Sequence, residues 1–362
     1  MIFTRVRSGI FLLLLAPALF AAESRKSPTR PGDTTTAYKG AIVTDAGTGR
    51  VLFEDRADTV TPPASMTKLM TFAIVHDRIA AGAIALNTPV KVAVPDSKIG
   101  GTQVFLDPRE TFSVEELIYA MMIQSANDAA HALARTAAGS VDAFVGLMNA
   151  KAQQLGMKQT TFRTPHGLPA ATRKVADGDV TTPRDFALLC RHLVQHTNVL
   201  KYTSVPKRDF APQRPKGPMH MENHNKLLGK VAGVDGLKTG FTNAAGYCLS
   251  ATALRDGRRV IVVIMGALGA NDQRDYGRAR DIRAVELLER GFAALPPAPA
   301  RPAAAAAPAP ATTPVAQARS TSAPAPASTN APAANESLLK PAPRPAAPPT
   351  DEQPLKLTIP KR

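Results

Sequence analysis

Residues 41–55, AIVTDAGTGRVLFED, alternate apolar and polar side chains on either side of a glycine-rich turn, the period-two signature of a hairpin. From residue 65 the period lengthens: Met66, Leu69, Met70, Ala73 and Ile74 recur at helical intervals. Pro62-Pro63 lies just upstream, where proline cannot interrupt a helix, so the spacing predicts a helix over 65–81 with Ser65 at its start. Residues 113–138, SVEELIYAMMIQSANDAAHALARTAA, open with the capping-box pattern Ser113-x-x-Glu116 and are apolar enough for a buried helical region, interrupted by the polar Ser125-Ala126-Asn127. Helical patterns recur at 141–155 and 184–196. Strand-like runs cover 247–253 and 259–266 around a turn at Arg255-Asp256-Gly257, and 276–292 reads as a last amphipathic helix. Strands at both ends with helices between them predict an α+β fold, one antiparallel sheet covered by helices.

The two ends of the chain read differently. Arg5 and Arg7, the run GIFLLLLAPALF and small residues through Ala22 have the form of a secretory signal peptide over 1–22. A short linker, 23–39, precedes a globular region over 40–294. No later segment approaches the roughly 18 uninterrupted apolar residues of a membrane span. From 295 to 362 proline and alanine dominate, and too few large apolar side chains are present to repay ordering, so a disordered tail is expected. Its scattered Arg and Lys suit anionic envelope polymers, or it is a plain solvated linker. The net charge of +15 and pI of 10.1 raise the question of nucleic acid, but an exported chain without a nucleic-acid motif argues against that partner. Export to a periplasmic or cell-envelope location permits disulfides. The two cysteines, Cys190 in a helical pattern and Cys248 in a strand pattern, have no spacing that decides whether they pair.

The chemistry-bearing residues begin with PASMTKLMT. Ser65 and Lys68 stand three apart at a helix start, on one face. The same spacing at Ser204 and Lys207 is interrupted by Pro206, and at Ser337 and Lys340 it lies in the tail. A serine hydroxyl needs an adjacent base, and a lysine amine can serve when burial and nearby positive charge keep it neutral. The blander reading is a capping serine followed by a surface lysine. QSAND supplies Ser125, a hydroxyl for proton relay, and Asn127, an amide that both donates to and accepts from a peptide. In DGLKTGFT, Lys238 and Thr239 offer a cation and a hydroxyl to a carboxylate, and Gly240 lets another backbone approach. Each motif alone is weak. Ser-x-x-Lys, Ser-x-Asn and Lys-Thr-Gly in this order form the signature of penicillin-binding proteins and serine β-lactamases.

With these motifs, and with GTQVFLDPRETFSVEELIYAMMIQSANDAA, DAFVGLMNAKAQQLGMKQTTFRTPHGL and NHNKLLGKVAGVDGLKTGFTNAAGYCLSATA, the chain resembles the low-molecular-mass penicillin-binding proteins of the D-alanyl-D-alanine carboxypeptidase family. The resemblance implies a β-lactamase/transpeptidase-like fold, a five-stranded antiparallel sheet flanked by helices plus a helical subdomain. It implies Ser65 as acylated nucleophile, Lys68 as base, and Ser125 and Asn127 on the opposite wall. Lys238, Thr239 and Gly240 would lie on the docking strand, and the N–H groups of Ser65 and Phe241 would form the oxyanion hole. It implies removal of the terminal D-alanine from peptidoglycan stem peptides, covalent inhibition by β-lactam antibiotics, and no metal or organic cofactor.

Three positions depart from the family pattern: Ala126 replaces a common glycine, Phe241 a common histidine, and His224 falls where some relatives carry arginine. KTGFTNAAGYC also looks like relatives that are D,D-endopeptidases, which cut crosslinks. The sequence is therefore also compatible with an endopeptidase; it has no class A glutamate element of a β-lactamase, and its intact motifs oppose a non-catalytic peptidoglycan-binding protein. The His192/His196 and His220/His224 pairs lack the His-Glu-x-x-His arrangement of a zinc hydrolase.

Overall fold

The computed structural model describes residues 38–215, 217–269 and 273–296. The expected signal peptide, nearly all of the linker and nearly all of the Pro/Ala-rich tail lie outside the described residues.

The described residues open with the expected hairpin, β1 (Gly40–Asp45) and β2 (Val51–Asp55), paired antiparallel. The Asp45 carboxylate shapes its turn, accepting from the Gly47 N–H at 2.9 Å and the Thr48 hydroxyl at 2.8 Å. The helical region follows: α1 (Lys68–Ala80), β3 (Pro89–Lys91), α2 (Val94–Ser97), β4 (Thr111–Ser113), α3 (Val114–Tyr119), α4 (Asn127–Ala138) and α5 (Val141–Gln154). Next come α6 (Pro183–His196), α7 (Val199–Thr203) and the small hairpin β5 (Lys207–Phe210)–β6 (Met219–Glu222). The chain then returns to the sheet with β7 (Val234–Thr242), β8 (Gly246–Arg255) and β9 (Arg258–Ala267), and ends the described fold with α8 (Arg278–Ala294).

The main sheet has the order β2-β1-β9-β8-β7, and every adjacent pair is antiparallel. The β8–β9 turn places Asp256 at φ 48° and Gly257 at φ 72°, the two left-handed residues that a tight Asp-Gly hairpin requires. Residues of β9 from Val260 to Met265 are all buried, because helices cover both faces of the sheet. Alternate residues split between two cores: Ile42, Ile261, Val263 and Met265 join Phe72 and Phe186 of α1 and α6. Val43, Val260, Val262 and Ile264 face Leu287 and Leu288 of α8. The expected α+β fold with one five-stranded antiparallel sheet is the one observed.

Two local expectations are modified. Ser113 caps α3 by accepting from the Glu116 N–H at 3.2 Å, but the reciprocal half of the capping box is missing. The Glu116 carboxylate instead binds the Arg208 guanidinium at 2.7 Å and the Ala211 N–H at 2.9 Å, tying α3 to the β5 hairpin. The helical stretch over 113–138 is also broken more deeply than its polar insertion suggests. After α3 it widens into a π-helical turn, Ala120–Gln124, and reverses at Ser125 in the left-handed region, φ 65°, before α4 begins at Asn127. Cys190 and Cys248 are both buried free thiols.

Candidate active site

Ser65 does not start an α-helix. It lies in a 3-10 turn, Ala64–Thr67, that feeds into α1, and Lys68 is the first residue of α1. The turn is held from two sides. Gly240 of β7 comes so close that a Cβ on it would stand 2.7 Å from the Pro63 carbonyl oxygen and 3.0 Å from the Ser65 nitrogen. From the other side, Gly167, at φ +83°, would place a Cβ 3.1 Å from the same nitrogen and well inside contact with the Ala64 carbonyl. Both glycines are needed for close approach of backbone to backbone.

The Lys68 side chain is fully buried. Its Nζ lies 3.0 Å from Ser65 Oγ, 2.6 Å from Asn127 Oδ1 and 2.7 Å from the carbonyl oxygen of His166. The Asn127 amide is oriented by its other end, since Nδ2 donates to the Gly100 carbonyl at 2.8 Å, leaving Oδ1 as an acceptor towards the lysine. Burial, then the neighbouring Lys238 ammonium, push the Lys68 amine well below the usual lysine range, against the opposing pull of Asp179 and Asp128. A neutral amine has two hydrogens and one lone pair. Two of its three neighbours are acceptor oxygens and the third is a hydroxyl able to donate, so the partner set matches the neutral form with its lone pair on the Ser65 proton.

Asn127 begins α4, and its N–H donates to the Thr102 carbonyl at 2.8 Å, while Asp128 accepts from the N–H groups of Val104 and Leu106. These bonds dock the 100–106 segment beside the site. The Ser125 side chain is buried, and its hydroxyl makes no hydrogen bond among the described residues. Ser125, in the left-handed turn two residues before Asn127, thus lacks the direct lysine contact that a preformed proton relay would have.

On the facing wall, β7 is the edge strand of the sheet, so a row of its backbone groups is free for an added strand. Lys238 is buried, and among the described residues its side chain makes a single hydrogen bond, to the Thr239 carbonyl at 3.2 Å. Burial and the adjacent Arg280 lower its ammonium to about 7. Thr239 is buried beside it, and Phe241 is partly exposed, stacked on Tyr247 with ring centroids 4.3 Å apart. His224 lies near this wall, its imidazole lowered to about 4 by the surrounding protein and by Lys238, Lys226, Lys68 and Arg280.

Four contributors escaped the sequence reading. The His166 carbonyl is a backbone group that no residue type announces. Asp179 is buried and accepts from the N–H groups of Arg163 and Thr164 and from the hydroxyls of Thr67 and Thr164, which fixes the His166–Gly167 loop against α1. Thr71 adds a bond to the Pro165 carbonyl at 2.6 Å. Arg280, from α8, is 5 % exposed and supplies the second cation beside Lys238, donating to the Cys248 carbonyl at 3.3 Å and pairing with Asp281. The signal for Asp179 was available in the sequence as an acid inside a segment of ordinary loop composition, but burial alone distinguishes it from its neighbour Asp177.

A Ser-x-x-Lys turn packed against a Lys-Thr-Gly edge strand, on an antiparallel sheet covered by helices on both faces, defines the class of penicillin-recognising, β-lactamase/transpeptidase-like proteins. A solved structure of this class, penicillin-binding protein D2 from Listeria monocytogenes in an ampicillin-bound form, is 34 % identical and superposes with a TM-score of 0.60 over 70 % of this chain and 97 % of that one. Residues 25–269 match the family model described as D-alanyl-D-alanine carboxypeptidase, and the chain belongs to that family, among the low-molecular-mass penicillin-binding proteins. It is 39 % identical over 264 residues to the D-alanyl-D-alanine carboxypeptidase DacC of Escherichia coli, covering 71 % of this chain and 62 % of the relative. It is 31 % identical over 266 residues to a D-alanyl-D-alanine endopeptidase of Pseudomonas aeruginosa, covering 72 % of this chain and 82 % of that protein. The chain thus spans less than two-thirds of the length of the E. coli carboxypeptidase. Among the described residues no helix is long and apolar enough to cross a membrane.

Proposed function

We propose that this protein is a serine-type D-alanyl-D-alanine carboxypeptidase that removes the terminal D-alanine from peptidoglycan stem peptides. The observation that carries this reading is the Lys68 amine, fully buried, 3.0 Å from Ser65 Oγ, with its other two partners both acceptors. Ser65 Oγ attacks the carbonyl carbon of the D-Ala-D-Ala bond as its proton passes to Lys68 Nζ. The oxyanion is met by the N–H groups of Ser65 and Phe241, on the two segments that Gly240 brings together. Lys68 returns the proton to the departing amine, and a water molecule then hydrolyses the ester on Ser65.

The peptide lies along the free edge of β7 as an added strand, and Asn127, whose amide already bonds Lys68 and the Gly100 carbonyl, keeps one Nδ2 hydrogen to offer it. Its terminal carboxylate meets Thr239, Lys238 and Arg280. An incoming anion restores the charge on Lys238 that burial disfavours, so ligand binding and lysine protonation reinforce each other. Once substrate has entered, Ser125 relays the Ser65 proton from Lys68 to the departing amine. β-Lactams take the same path as far as the acyl-enzyme. No metal or organic cofactor has a part in these steps. Arg5, Arg7 and the apolar run that follows support export, which places the enzyme in the periplasm or cell envelope, where the Pro/Ala-rich tail could contact envelope polymers.

A second reading, D,D-endopeptidase, is favoured by the larger share of the Pseudomonas aeruginosa relative that the chain covers. Both activities use the same acyl chemistry. Mass spectrometry of digests separates them: loss of one D-alanine from a pentapeptide muropeptide supports the carboxypeptidase, and conversion of crosslinked dimers to monomers with intact pentapeptide supports the endopeptidase. Neither product from a folded protein would refute both.

A further inference from the structure

The reaction above uses β7 from Lys238 to Phe241. Beyond that point, at Thr242 and Ala244, the cleft continues into a groove whose other wall is formed by Pro62, Leu168, Arg173 and Lys174. The groove and the nucleophile share a boundary, because Gly167 lines the groove and also lies against the Ser65 amide. Along β7 the order is therefore fixed: Lys238 with Arg280, then Gly240 at the nucleophile, then Thr242 at the groove. If the terminal carboxylate sits at the Lys238 end, whatever enters the groove belongs to the acyl side of the substrate. Two residues of an extended chain span about 7 Å, so a donor peptide paired with β7 reaches the groove two or three residues before the scissile bond.

The groove is cationic. Arg173 and Lys174 are exposed, and neither side chain has a hydrogen bond or ion pair among the described residues. On their own segment, Asp177 is engaged by the Thr172 hydroxyl at 2.7 Å, and Asp179, which also lines the groove, is buried, with both carboxylate oxygens taken up by the Arg163 and Thr164 N–H groups and the Thr67 and Thr164 hydroxyls. Across the groove, the turn after β7 is flanked by two more cations: Lys39 Nζ donates to the Ala244 carbonyl at 2.9 Å and Arg274 to Asn243 Oδ1 at 2.5 Å. The wall that carries Arg173 is not a loose strap. Turns from Arg173 N–H to the Ala170 carbonyl and from Gly178 N–H to the Val175 carbonyl close it, and the buried Asp179 anchors its far end.

We propose that this groove is the subsite for the donor peptide, and that Arg173 and Lys174 select a donor carrying a free carboxylate two or three residues upstream of the scissile bond. The inference rests on the acyl-serine reading of the site. Its test compares two synthetic peptides ending in D-Ala-D-Ala that differ only in whether that upstream side group is a carboxylate or its carboxamide. The expected ratio of kcat/KM, carboxylate over amide, is on the order of fivefold in the unmodified protein, carried mainly by KM. It falls to about one in an Arg173→Gln/Lys174→Gln double variant and below one in Arg173→Glu, with unchanged thermal melting as the check on folding. Equal kcat/KM for the two peptides in the unmodified protein, or a preference that survives both variants, overturns the subsite. A penicillin adduct on Ser65 together with peptide turnover but no preference refutes the groove's role alone. No adduct and no turnover in a folded protein refute the acyl-serine reading, and the subsite with it.

Discussion

The two walls of the cleft are built in opposite ways. The β7 wall is regular: one strand, in register with β8 from Leu237 to Thr242, its positions set by a ladder of backbone pairs. The Ser65 wall is assembled from pieces, a 3-10 turn, a left-handed Ser125, the first residue of α4 and the His166–Gly167 loop. Lys238, on the regular wall, has one hydrogen bond, whereas Lys68, on the assembled wall, has three, each to a different segment. A strand can present a charge to a substrate with little further support. Holding a neutral amine on a hydroxyl needs acceptors from several directions, which only tertiary structure supplies.

The largest effect should come from removing the amine itself. Lys68→Met is expected to slow acylation of Ser65 by at least about 10³-fold, measured with a fluorescent penicillin, because the hydroxyl loses its base. An acylation rate within tenfold of the unmodified protein in a folded variant would show that the assembled wall does not supply the base. Next in size is Gly240→Ala. Its Cβ has no room against the Pro63 carbonyl, so the two walls must separate, and a loss on the order of 10²-fold in kcat/KM is expected with little change in melting temperature.

Asp179→Ala frees the His166–Gly167 loop and leaves several buried donors unpaired. It should cost about 2 kcal/mol or more in denaturant unfolding, and acylation should fall because the His166 carbonyl no longer holds Lys68. A stable variant with slowed acylation would separate positioning from folding.

The two lysines also predict a pH effect of defined sign. Each has a folded-state pKa depressed below its unfolded value, so once folded Lys238 loses its proton, at about pH 7, the unfolded chain binds more protons and stability rises with pH. The rise should level off near 8.5, where Cys190 and Cys248, pushed up to about 12 and about 11 by burial, ionise only in the unfolded chain. In Lys238→Ala part of that rise should vanish. Because the Lys238 charge lowers Lys68, the acid limb of the acylation profile should move to higher pH in the same variant. A limb that stays in place would mean the two amines do not sense each other.

The same contrast governs what could be read before the fold was known. The β8–β9 turn, the edge strand with its Lys-Thr-Gly and the helix after Ser65 are encoded by local pattern: Asp256-Gly257 for the turn, alternation for the strands, and the 66-69-70-73-74 spacing for the helix. The assembled wall is not local. Ser125 reverses the chain because α3 and the π-helical turn are fixed by packing and by Glu116 reaching the β5 hairpin, a contact across 92 residues to Arg208. The capping-box pattern at Ser113 named a local partner for Glu116, and tertiary structure offered a stronger one. His166 contributes a carbonyl, which every residue has, and Asp179 is distinguished from Asp177 only by being inside. Motif order identified which residues meet, and three-dimensional packing determined how the lysine is held.

Whether Ser65 is the acylated nucleophile is decided by mass spectrometry of the protein after incubation with benzylpenicillin. One penicilloyl adduct per protein is expected, mapped to the peptide containing Ser65 and absent from Ser65→Ala. An adduct that persists in Ser65→Ala, or none on the unmodified folded protein, would show that Ser65 is not the nucleophile.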